Sequence, residues 1–280
     1  MNWFAQSVRR EPGWEACHFG LVDFYKDTRL MDLFGLPLSW HVEPKPNPWQ
    51  GKHRLTKEDW FAMSNARNTA LCLCADPFIC WIDDLSVVMP GWLAEVKKAQ
   101  ERQCVVLGAY RKVRHLMVEN GEVKSYENYS TDSRLNGRPE GFNRVSGGMC
   151  YGCSLAMPVE VALSVNGWPE DLCDGLSFED VCFGVALENA GHALYYSPGM
   201  LTLESEEEHH NQPPMKRSDY GRSPNDKSHA ALDIARASKW FPNTYNVRQL
   251  REKVLAGEPF PLRQIPEHEW YTKTHLSELA

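Results

Sequence analysis

The sequence predicts an α/β fold, with strands and helices alternating through the first half of the chain and a C-terminal extension after residue 210. Three observations predict it. Short apolar runs of strand length recur at Phe19–Asp23, Phe78–Ile82, Val105–Gly108 and Ala193–Tyr196. Between them, apolar residues recur at helical spacing. Capping residues, Pro and Gly separate the two patterns. Such alternation lays helices over the faces of a sheet. With 280 residues, 42% of them hydrophobic and 24% charged, the chain can bury a substantial core, which excludes a disordered tail or a fibre.

Taken in order, Phe19-Gly20-Leu21-Val22-Asp23 reads as a buried strand ending in a carboxylate, at the sheet edge where ligands of open α/β sheets gather. Three prolines within Pro44–Pro48 enforce an extended loop. Thr56-Lys57-Glu58-Asp59 has capping-box spacing, and Trp60, Met63, Ala66, Ala70 and Cys74 continue at helical intervals. Phe78–Ile82 is expected as a central strand that Asp83-Asp84 terminates. Pro90 opens a helix with Trp92, Leu93 and Val96 on its inner face, and Val105–Gly108 is the next strand. From Tyr110 to Val145 the pattern is irregular and polar. Ser177-x-x-Asp180 has the spacing of a helix start, and Gly191 closes that helix. Ala193–Tyr196 returns as a strand before the acidic run Glu204–Glu208 and the pair His209-His210. Residues 211–280, rich in Pro and Trp, carry no strong strand pattern. The expected division is therefore 1–210 and 211–280.

Nine cysteines, an odd number set in apolar strings such as Leu71-Cys72-Leu73-Cys74, point to reduced thiols and a cytoplasmic chain. Cys150-x-x-Cys153 has no second pair at a matching distance, so a closed zinc site is not expected. Met1–Arg10 has no basic segment followed by an apolar run, which argues against a signal peptide. The longest apolar candidate, Thr69–Ile82, is broken by Asp76 and Pro77, so no membrane span is expected. A net charge of −7 disfavours a simple nucleic-acid coat. Charge is uneven, however: Lys97–Arg144 holds ten Lys/Arg against six Asp/Glu, an excess that suits a polyanion or merely solvates a face.

Two acidic pairs carry the chemistry. Adjacent carboxylates at a strand end, Asp83-Asp84, suit a hard divalent cation that also grips a diphosphate, although Asp is also a common strand-ending turn residue. Glu179-Asp180 sits in the first turn of a helix, where the positive end of the dipole stabilises carboxylates; capping alone would account for Asp180.

Six short motifs fall in one order: Asn65-Ala66-Arg67-Asn68, the strand Phe78–Ile82, Asp83-Asp84, Pro90-Gly91-Trp92-Leu93, Gly167-Trp168-Pro169-Glu170, and Phe178-Glu179-Asp180-Val181 with Ala190-Gly191. In this order they resemble glycosyltransferases of the GT-A fold, family 2 type, over residues 19–203. The resemblance implies one Rossmann-like mixed sheet flanked by helices. It also implies a nucleoside-diphosphate sugar donor, UDP-linked above others, Mn²⁺ or Mg²⁺, and inverting transfer to a hydroxyl. Asp23, Arg67, Asn68 and Asp83 would contact the donor; Asp84 with His209 or His210 would hold the metal. Asp180 would be the general base, with Glu179 beside it, and Gly148 and Trp168 would meet the acceptor. The chain departs from the family where Leu85 replaces a third acidic residue, where Phe24-Tyr25 follows Asp23, and where Met1-Asn2-Trp3 opens in a helix instead of a first strand.

The acceptor would be a glycan, a protein, a small molecule or, as for some bacteriophage enzymes of this type, a hydroxymethylated base in DNA. A non-catalytic sugar-nucleotide or glycan-binding module, or a nucleotidyltransferase, is the alternative. The latter would want a Gly-rich phosphate loop near the start, and the sequence has none.

Overall fold

A computed structural model describes residues 2–23, 35–45, 63–83, 86–173, 178–207, 232–241, 243 and 245–261. The elements in order are α1 (Asn2–Val8), β1 (Phe19–Val22), β2 (Leu38–Val42), α2 (Met63–Leu73), β3 (Phe78–Ile82), β4 (Ser86–Val88), α3 (Trp92–Glu101), β5 (Val105–Glu119), β6 (Glu122–Thr131), β7 (Asn143–Val145), β8 (Ser154–Pro158), α4 (Val159–Ser164), α5 (Glu170–Cys173), α6 (Glu179–Asn189), β9 (Leu194–Ser205) and α7 (Val247–Leu255). The expected α/β class with a mixed sheet flanked by helices is what the chain forms.

Among the described residues, seven strands make the main sheet, in the order β3-β8-β5-β9-β4, with β6 also paired to β5 and β7 to β9. Its spine is the parallel pair β5 and β9, which runs from Val105 opposite Leu194 to Val113 opposite Ser205 with a register shift between Gly108 and Ala109. Both strands change their outer partner along their length. At its start β5 borders β8, and beyond Tyr110 it borders β6. β9 meets β7 first and β4 later. The apolar residues of β3, β5, β8 and β9 then pack with α2, α4 and α6 into the main core, around Leu71, Leu107, Leu155, Trp168, Phe183 and Leu187.

Three expectations change. Phe78–Ile82 lies at the outer end of the strand order instead of its centre, because among the described residues it pairs with β8. Phe19–Val22 is a strand, but it pairs in parallel with β2 in a separate two-stranded sheet. The polar stretch after Tyr110 is an antiparallel hairpin, β5–β6, whose far half is exposed on both strands. Only Leu116, Val118 and Val123 are half-covered there, against Val87, Val113 and Leu203, and mostly polar, exposed residues surround them, so the apolar alternation that marks a half-buried strand is too short to read.

Helix α3 starts after Gly91, whose own side shows no capping side chain. Its orphan amides are satisfied from far along the chain, since the Glu11 carboxylate accepts from Gly91 N and Leu93 N at 3.0 Å. The segment expected as an extension also contributes to the core: Leu232, Ala235, Phe241, Val247 and Leu250 are buried against it. None of the nine cysteines forms a disulfide. Among the described residues, no helix is long and apolar enough to cross a membrane.

Candidate active site

The site forms where three segments meet at the edge of the sheet. Strand β3 ends at Ile82, opposite Ser154 of β8, so the chain leaving β3 lies beside the chain entering β8. Asp83 N accordingly donates to Cys153 O at 3.2 Å. The third segment is the start of α6. That helix approaches closely because Gly184 rests on the backbone of Gly147, where a Cβ on either residue would collide. Asp180, in its first turn, accepts from Gly152 N through Oδ2 at 3.0 Å and from Val181 N through Oδ1 at 2.7 Å. Phe178 precedes the helix with φ 70 and offers no side-chain cap. Asp180 therefore pins α6 to the turn before β8, and Ser177, its expected capping partner, lies outside the described residues.

Arg67, projecting from α2, reaches all three segments. Its Nη1 donates to Glu179 Oε1 at 3.1 Å, and its Nη2 lies 3.5 Å from both Asp83 Oδ1 and Gly152 O. The guanidinium sits 4.4 Å from the centroid of the Trp168 ring, which is stacked on Phe183 at 4.1 Å and meets Trp81 edge-on. Gly152 is required here, because a Cβ would run into the guanidinium. The Arg67 side chain is 7% exposed, against 36% for Asp83. Burial disfavours its charge, yet Asp83, Glu179 and Asp180 outweigh burial and hold its pKa above the usual value. Burial pushes Glu179 up from the ordinary carboxylate range. Arg67 opposes that shift, and Asp180 and Asp83 add to it.

Beneath this cluster lies a second polar layer. Asn68 is fully buried; its Nδ2 donates to Trp168 O and Glu170, and its Oδ1 accepts from Trp168 N at 2.8 Å. Glu170 also takes a 2.6 Å bond from Lys45, which donates to Asn65 as well. Asn243 accepts from Glu170 N and donates to Asn166 O and Trp168 O. Asn166, in turn, donates to Phe241 O and accepts from Val247 N. Residues 166–170 are thus fastened on one side to α2 and on the other to the C-terminal segment.

The fold gathers Asp83, Glu179, Asp180 and Arg67. Asn68 and Trp168 lie under them, and the Trp168 ring, at 0% exposure, has no accessible face. Gly148 is exposed on the turn Gly147–Met149 that α6 presses against. Asp23 is held elsewhere, at the end of β1, where its Oδ2 lies 3.2 Å from His41 Nε2. Asp84, His209 and His210 lie outside the described residues. Among the described residues, no group of three or more His, Cys, Asp or Glu is placed to hold a metal ion. Burial pushes the Cys150 and Cys153 thiols up, which keeps them neutral and poor ligands. Sequence reasoning missed Gly152, whose amide holds Asp180 and whose missing side chain admits Arg67; a glycine inside a Cys150–Cys153 spacing was the available signal.

No family model matches the chain, and no curated protein matches it. Among solved structures, the chain matches "Crystal structure of GalNAc-T7 with UDP, GalNAc and Mn2+" at 12% identity and a TM-score of 0.41, over 81% of this chain and 48% of that one. The chain thus spans about half the length of that protein.

Proposed function

We propose that the chain is an inverting glycosyltransferase, moving a sugar from a nucleoside-diphosphate sugar to a hydroxyl of an acceptor. The observation that carries this reading is the meeting of Asp83 with Glu179 and Asp180 around Arg67, since carboxylates distant in sequence gather at one sheet edge. Their chemistry divides the work. Asp180 is half-buried, and its oxygens already accept two backbone amides, which fixes the carboxylate in place. Each oxygen keeps a further lone pair, so an acceptor hydroxyl can donate to it and lose its proton as the new bond forms. Glu179 faces inward to Arg67 and anchors the pair.

Asp83 is an accessible hard oxygen donor at the sheet edge, a donor type that suits Mn²⁺ or Mg²⁺ beside a diphosphate. Asp84 and one of His209 and His210 would complete the ligand set. A bound cation would stabilise the charge that develops on the departing diphosphate. The bonds of Asn68 to Glu170, of Asn166 to Phe241 and of Asn243 to Glu170 N keep the floor of the site rigid, which favours a fixed approach of acceptor to sugar.

The test is a screen of nucleoside-diphosphate sugars with Mn²⁺ and with Mg²⁺, read by thermal shift and by release of nucleoside diphosphate. Acceptor trials follow with glycans, hydroxylated small molecules, proteins and hydroxymethylated DNA. Donor-dependent stabilisation and transfer with inversion are the expected result. No binding of any such donor with either metal would end the proposal.

A further inference from the structure

We infer that Arg67 is a positioning residue, which sets the distance between the donor side and the base side of the site and does not itself bind the diphosphate. The inference rests on the glycosyltransferase reading for the names of the two sides, and on geometry alone for the linkage.

A residue that grips a diphosphate must present its guanidinium to the ligand. Arg67 instead lies with its side chain 7% exposed, its flat face on Trp168 and its donors turned to protein acceptors. Nη1 goes to Glu179, and Nη2 faces Asp83 and Gly152 O. A planar fork can hold two carboxylates at a set separation, which a lysine's point charge cannot do. The two ends it ties are separated by the whole middle of the chain: Asp83 is 16 residues from Arg67, and Glu179 is 112. Backbone contacts draw the same parts together, from Asp83 N to Cys153 O and from Gly152 N to Asp180. Arg67 therefore sits at the point where β3, the turn before β8 and α6 would separate first. The Trp168 ring, sandwiched between the guanidinium and Phe183, fixes its depth.

The experiment compares the parent with Arg67→Lys and with the double variant Arg67→Gln/Glu179→Gln. Affinity for UDP with Mn²⁺ is measured by calorimetry and kcat at saturating donor and acceptor. Urea unfolding is measured for the parent, both Gln singles and the double. UDP affinity should stay within about fivefold of the parent in Arg67→Lys and in the double variant, less than 1.4 kcal/mol by the tenfold rule. In Arg67→Lys, kcat should fall by about 10²-fold, the effect of misplacing a reacting group by a fraction of its bond distance. The two single Gln changes should be coupled, their combined effect on the unfolding constant departing from the product by about tenfold.

A loss of UDP affinity beyond fivefold in both variants, or an unchanged kcat in Arg67→Lys, overturns the inference. If the parent binds no UDP with Mn²⁺, the glycosyltransferase reading fails and the unfolding cycle decides this one. Single changes that multiply to the double within about twofold would show no linkage and overturn it; tenfold coupling would retain it.

Discussion

Replacing Asp180 by Asn tests the proposed base, and the structure shows that the change acts twice. Asp180 accepts Gly152 N on one oxygen and Val181 N on the other. Asparagine keeps one acceptor oxygen and turns an NH₂ toward the other amide, so one hydrogen bond is lost and two donors face each other. That should cost about 1–3 kcal/mol of stability, the range for a polar group left without its partner. Separately, an amide cannot take the acceptor's proton, and turnover should fall by about 10²–10⁴-fold, the usual contribution of a general base. The two effects are read by different assays: urea unfolding gives the first, and initial rates at saturating acceptor, in the fully folded range, give the second. Donor affinity, measured by calorimetry with Mn²⁺, should change little. NMR of the transferred sugar should show inversion. A folded Asp180→Asn protein with near-parental turnover, or a product of retained configuration, would reduce Asp180 to its bond with Gly152 and refute the base assignment.

Glu179→Gln should flatten the dependence of stability on pH. Because burial raises the folded-state pKa of Glu179, its contribution is fully present below the unfolded value of roughly 4.3 and is lost as pH rises through the raised folded value; equal slopes in parent and variant across that window would contradict the shift. Arg134→Met should cost about 3–5 kcal/mol, since it leaves the Asp132 carboxylate buried at 0% exposure without its cation. Arg134 also donates to Met149 O beside Gly148, so urea melts should show Asp132→Asn restoring part of the loss in the double variant. Asn243→Ala should cost about 1–3 kcal/mol and speed amide exchange at Glu170, whose N–H it leaves bare. Unchanged exchange there would detach the C-terminal segment from the site.

The elements legible in the sequence are those with a local signature. Helix α6 was readable from its acidic first turn and from Gly191, whose φ is +94 just past the last turn. Asp83 was readable as the residue closing an apolar strand. The β5–β6 hairpin was passed over as irregular, although Asn120-Gly121, both at positive φ between the strands, is a strong two-residue turn signal. Its strands lack apolar alternation, so periodicity concealed what the turn chemistry announced. Helix α2 concealed its surroundings in another way. Arg67 and Asn68, which the resemblance sets beside the donor, are both buried, and no local signal of the helix announces that burial.

By itself, then, the sequence determined the α/β alternation, the close of α6 at Gly191 and the presence of two acidic pairs, because capping, turn geometry and apolar period act over a few residues. The tertiary structure alone decided that β5 and β9 share their ends among β8, β6, β7 and β4, and that Phe78–Ile82 lies outermost. It also decided that Arg67 stands buried among carboxylates 16 and 112 residues away. A side chain's type is local information, whereas its burial and its charge partners depend on which distant segments pack against it.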